Sequence, residues 1–167
     1  MPNSFGLNRS LGGAIAAIAA VTLLTSGAVQ LSLGQLHETA EARGRSNQLI
    51  RSLGDFRTAM LNQETGLRGY LITGRTSSLE PYQAGRPALD RAIADLHGLV
   101  DGDASAARLL RDAELAARTW QSGIGEAAVR IMSDPARRTE AIAVEADGKG
   151  KQLFDTFRER LAAIETA

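Results

Sequence analysis

A strict alternation of three- and four-residue steps constrains this chain more than any other feature. Leu49, Leu53, Phe56, Met60, Gln63, Leu67 and Tyr70 follow one another by 4, 3, 4, 3, 4 and 3 residues. A helix places such positions on one stripe, so the segment must bury that stripe against other helices. Gln63 is its one strongly polar member. A polar residue on a buried seam fixes helix register at some cost in stability, or it holds a ligand. The residues alone allow both roles.

Three further stripes follow. Tyr82, Arg86, Leu89, Ile93, Leu96 and Val100 define a second helix. Leu79-Glu80-Pro81 fits its first turn, where the missing proline N–H costs nothing, with Ser77 or Ser78 as cap. Pro87 predicts a kink or a late regular start. Ala106, Leu110, Ala113, Ala117, Trp120, Ile124, Ala127 and Ile131 define a third helix, capped by Asp103 or Ser105. Trp120, the single tryptophan, fills space left by the alanines around it.

Asp134 caps a fourth helix and Pro135 opens it. This helix weakens at Asp147-Gly148-Lys149-Gly150-Lys151 and resumes with Phe154, Phe157, Leu161 and Ile164. The weak stretch lacks the spacing of a phosphate-binding loop and follows a helical segment, not a strand. It reads as a solvated or kinked piece of helix. With 4 prolines, 4% aromatic residues and no β-branched runs, the composition agrees with an all-α chain. The expected domain is an antiparallel up-down-up-down four-helix bundle over residues 36–166.

Ahead of it lie a polar tail, residues 1–10, and then Leu11–Leu33, 23 residues without a charge. As a helix that segment spans about 35 Å, enough for a hydrocarbon layer of about 30 Å. It reads as a transmembrane signal anchor. A cleaved signal peptide is the alternative, since small Ser26 and Ala28 precede Val29. Against cleavage, the apolar character continues through Leu31, Leu33 and Leu36. Arg9 on one side and Arg43, Arg45 and Arg51 on the other leave the orientation undetermined.

The chemistry inventory points away from catalysis. The formal net charge is +0, so nothing draws the chain to nucleic acid. Cysteine is absent, and His37 and His97 belong to different helices without metal-ligand spacing. No GxSxG elbow or calcium loop occurs. The expectation is a non-enzyme without metal or cofactor.

One stretch remains, LNQETGLRGYLITGRTSSLEPY, at residues 61–82. Glu64 and Arg68 share a helix face. Gly66 and Gly69 each cost about 1 kcal/mol relative to alanine in a helix, which predicts close approach of a neighbouring element. Glu64-Thr65-Gly66, Arg68-Gly69-Tyr70-Leu71, Thr73-Gly74 and Leu79-Glu80-Pro81-Tyr82 together resemble the signature of the CHASE3 family, sensory domains of bacterial membrane receptors. The similarity extends to Trp120 and to Gly148-Lys149-Gly150-Lys151 with Phe154-Asp155.

The resemblance implies an extracytoplasmic four-helix sensor at the inner membrane. Running the first helix outward from the anchor sets the 61–82 corner at the distal pole of that bundle. It further implies a homodimer and a small-molecule or protein stimulus. Helix packing changes would be relayed to a kinase, cyclase or chemoreceptor output module not found in this chain. The signature residues, and Gln63, are the candidate site; their part is structural first, with ligand contact as the second possibility. An exported helical interaction protein is the competing expectation.

Overall fold

The computed structural model describes residues 43–166. The expected membrane segment Leu11–Leu33 lies outside them. Among the described residues no helix is long and apolar enough to cross a membrane. Ser46–Ala167 form one compact unit, and the described part of it is all-helical.

Helix α1 covers residues 43–73. A 3₁₀ turn, Thr76–Leu79, leads into α2, Glu80–Leu99, and then α3, Ala104–Trp120. A π-turn, Gln121–Gly125, passes without a break into α4, Glu126–Met132. A second 3₁₀ turn, Pro135–Arg137, precedes α5, Arg138–Ala146, and α6 runs over Lys149–Glu165. These elements make four legs: α1, α2, α3 with α4, and α5 with α6.

Neighbouring legs run in opposite senses, as short loops require. Along α1 and α2, Gly66 lies against Tyr82 while Gly85 lies against Ala59 and Gln63. Along α2 and α3, Asp90 meets Arg118 and His97 meets Glu114. The fourth leg closes the core. Its Phe154 packs edge-on against Trp120 of α3, with ring centroids 5.6 Å apart. Its Phe157 meets Phe56 of α1 at 5.2 Å, and Phe154 and Phe157 are themselves 5.6 Å apart. Each such aromatic pair adds about 0.5–1.5 kcal/mol beyond its area burial.

Most of the seams fall inside as their spacing requires. Leu53, Phe56, Met60, Gln63, Leu67 and Tyr70 of α1 are buried, as are Phe154, Phe157, Leu161 and Ile164 of α6. Two seams depart from expectation. On α2, Arg86 is exposed and pairs with Glu126 at 2.7 Å, while the neighbouring Gly85 turns inward.

On the third leg the expected Ala127 and Ile131 are only half-buried, and Ala128 and Met132 take the interior. The π-turn is the reason. It inserts one extra residue, so every later position rotates by one step.

Caps sharpen the boundaries. Asp103 Oδ1 accepts from the backbone N–H of Ser105 at 2.9 Å and of Ala106 at 3.0 Å. Asp134 Oδ1 accepts from Ala136 N–H at 2.9 Å. Neither Ser77 nor Ser78 caps α2: Leu79 holds that position without a side-chain bond, and Ser78 Oγ is bonded to Thr73 Oγ1 at 2.9 Å. Helix α2 starts at Glu80 and runs unbroken past Pro87, so the proline does not delay it. The fourth leg does break, at Asp147-Gly148. Gly148 adopts φ 78, and Asp147 Oδ1 accepts from Lys149 N–H at 2.8 Å.

Candidate functional site

Among the described residues two buried amides form a polar layer where the third leg departs from α-geometry. Gln63 is 0% exposed and Gln121 is 6% exposed. Gln121 Nε2 donates to Gln63 Oε1 at 2.7 Å. Gln63 Nε2 turns back to the Ala59 carbonyl at 3.3 Å. Two uncharged amides so joined satisfy each other where a lone one would carry an unmet desolvation cost of about 1–3 kcal/mol.

Local chemistry opens the helix at this level. Gln121 N–H reaches the carbonyls of both Ala117 and Arg118. Ser122 Oγ donates to the Arg118 carbonyl at 3.0 Å, and Thr119 Oγ1 to that of Leu115 at 2.7 Å. Hydroxyls bonding back one turn compete with the backbone ladder and bend helices. Glu126 N–H then closes on the Gln121 carbonyl, five residues back, which is the π-pattern.

From Gln121 the polar contacts continue outward. Arg118 Nη1 donates to Gln121 Oε1 at 3.1 Å, while its Nη2 meets Asp90 Oδ1 at 2.7 Å. Glu114 lies 3.8 Å from Arg118 Nε and 3.2 Å from His97 Nε2. A continuous polar line therefore runs from the centre of α1, through α3, to the outer face of α2.

Three glycines let the backbones close around the layer. A Cβ on Gly85 would stand 2.7 Å from the Ala59 carbonyl oxygen and from Gln63 Cγ. One on Gly66 would stand 2.4 Å from Tyr82 N, and one on Gly125 would stand 2.9 Å from Tyr82 Oη. Tyr82 is thus held between α1 and the π-turn. Among the described residues its hydroxyl is the buried side-chain polar atom without a hydrogen-bond partner. Burial raises the pKa of this phenol, the Arg86 guanidinium partly offsets that, and the Glu126 carboxylate adds to it.

The signature residues gather at the adjoining end of the bundle. Glu64 and Arg68 pair at 3.1 Å, and Thr65 is exposed. Tyr70, Leu79 and Trp120 are core residues. Thr73 Oγ1 donates to the Gly69 carbonyl at 2.7 Å. Gly74, at φ 68, ends α1 with its N–H on the Tyr70 carbonyl at 2.8 Å, and lies near Met132 and Arg138. Glu80 and Pro81 occupy the first turn of α2.

Most of this set builds the corner. Gly66, Tyr82 and Gln63 enter the polar layer, which adds Gly85, Gln121 and Gly125. Sequence periodicity missed those three. The hint was two glycines, Gly123 and Gly125, directly after a polar residue beside the seam. Among the described residues no cluster of His, Cys, Asp or Glu could hold a metal ion.

A CHASE3 domain matches residues 39–167. The chain belongs to the CHASE3 domain family. A solved structure, the sensor domain of the Rhodopseudomonas palustris histidine kinase HK9, resembles it with a TM-score of 0.65 at 19% identity. The match covers 72% of this chain and 92% of that one. At such identity the likeness is one of fold. Among curated proteins no relative matches.

Proposed function

We propose that this CHASE3 domain is the extracytoplasmic input module of a receptor anchored in the inner membrane by Leu11–Leu33. It acts as a homodimer and converts a small-molecule or protein stimulus into a change of helix packing, passed to an output module. The observation that carries this reading is the buried Gln63–Gln121 pair at a π-turn, 2.7 Å across. A buried polar layer ties one particular packing of the first and third legs to a few hydrogen bonds, so a stimulus that breaks the amide pair would move the legs as discrete elements. No catalytic role is assigned to the domain.

In a full-length receptor, Gln63→Leu is expected to bias output. Unchanged basal and stimulated output from a stably expressed variant would refute the relay. An exported interaction protein is the second reading, favoured by Ser26 and Ala28 ahead of Val29. Intact mass separates the two: an anchored chain keeps residues 1–28 in the membrane fraction, whereas a soluble form beginning at Val29 would refute the anchor.

A further inference from the structure

Three large apolar side chains on α1 face outward: Ile50, 64% exposed, Leu61, 36%, and Ile72, 84%. They are spaced by 11 and 11 residues. Eleven residues make about three turns of α-helix, so the three lie along one line, about 16 Å apart, roughly 130° around α1 from the core seam on the side towards α6. Gly54 falls on the same line, and a Cβ there would meet nothing within 4 Å.

Beside Leu61 runs a groove of about 400 Å³ between α1 and α6. It is lined by Arg57, Leu61, Phe154, Phe157, Arg158 and Ala162. Two basic residues flanking the line near Leu61 and Ile72 are paired within their own chain, Arg57 with Glu165 and Arg68 with Glu64.

We propose that this face of α1 is a two-fold interface that docks a second copy of the same chain. Leu61 of each copy enters the groove beside Leu61 of the other, with Ile50 and Ile72 meeting their equivalents on either side. A two-fold contact needs a patch that is its own complement, and an apolar knob next to an apolar-floored groove meets that need. An 11-residue repeat drifts by only about 20° per step along the helix and favours a gentle right-handed crossing, so two parallel copies match layer for layer.

The parallel sense rests on the membrane-anchored reading. The uncharged segment Leu11–Leu33 precedes α1 and would tether both copies from the same side. The competing face has less to offer. Leu115, 68% exposed, stands alone on α3 beside a groove whose lining includes Asp112, Thr119, Thr156 and Arg160.

The chain has no cysteine, so single introduced thiols report contacts without background. The full chain carrying Ile50→Cys, Leu61→Cys, Ile72→Cys or Leu115→Cys is mildly oxidised, separately in membrane vesicles and in any soluble fraction. Each of the first three is expected to give a disulfide-linked dimer and Leu115→Cys is not. Adding Leu61→Lys to Ile50→Cys should reduce cross-linking at least tenfold.

Linkage through Leu115→Cys alone, or through none, overturns the interface. Linkage of Ile50→Cys only with Ile72→Cys in mixed samples makes the pairing antiparallel and overturns the shared orientation. The expected pattern found solely in the soluble fraction keeps the interface and removes the anchor.

Discussion

Gln121 on the third leg and Gln63 on the first are joined amide to amide across 2.7 Å within the buried core. Gln121 also accepts from Arg118, while Gln63 Nε2 holds the Ala59 carbonyl at 3.3 Å. Removing either amide orphans the other. Gln63→Leu and Gln121→Leu are each expected to lose about 1–3 kcal/mol. The double substitution should recover part of that loss, with a coupling of at least about 0.5 kcal/mol. Urea unfolding of the four chains completes the cycle, and strict additivity would show the pair to be energetically idle.

Glycine substitutions should divide by their surroundings. Gly54→Ala faces open space and should stabilise by about 0.5–1 kcal/mol through helix propensity. Gly85→Ala drives a methyl to 2.7 Å from a backbone oxygen, and overpacking of this sort costs about 1–3 kcal/mol. Thermal midpoints moving in opposite directions are the expected readout. A stabilising Gly85→Ala would mean that α1 and α2 can separate freely.

Deleting Gly123 should leave a folded bundle. The deletion removes the extra residue of the π-turn, which turns Gln121–Gly125 into ordinary helix while Ala128 and Met132 stay inside. Deleting Ala113 instead rotates Trp120 off the core, a loss comparable to the about 3–5 kcal/mol of truncating a buried tryptophan. Circular dichroism melts of the two deletions make the comparison. Equal damage from both would argue that the π-turn is required for packing.

Tyr82→Phe removes a buried hydroxyl that has no partner, so a gain of about 1 kcal/mol is expected. Its pH signature is also defined. Because burial raises the folded-state pKa, titration of the phenol leaves stability unchanged below its unfolded value, about pH 10. Stability then falls as pH rises from there through the folded value, since the unfolded chain loses the proton first. The parent should lose stability along this alkaline limb and the phenylalanine variant should lose less. Identical limbs would place the hydroxyl in water.

The legs were legible from spacing because burial of one stripe per helix is what spacing encodes. Leu53 to Tyr70 and Phe154 to Ile164 needed nothing more. Caps were legible where a carboxylate precedes a helix, as at Asp103 and Asp134. Ser77 and Ser78 misled because a hydroxyl that looks like a cap can be claimed by a neighbour, here Thr73.

The corner residues were visible as a signature. Close approach at Gly66 was legible, though its partner, Tyr82, was not. At Gly69 a Cβ would meet Ser78 only at 3.5 Å, an ordinary contact, so that expectation fails. The approach of Gly85 to Gln63 depends on elements distant in the chain. The π-turn was hidden most thoroughly. Ala127 and Ile131 continue the periodic pattern as well as Ala128 and Met132 do, and backbone hydrogen bonding alone decides between them.

The extra residue in the third leg is a dislocation in an otherwise regular lattice. Moving it by one site would turn one residue by about 100° and lift it about 1.5 Å, while both ends of the leg stayed where they are. Such a shift would present a different side chain to Tyr82 with no change in the length of the leg or in the loops that hold it.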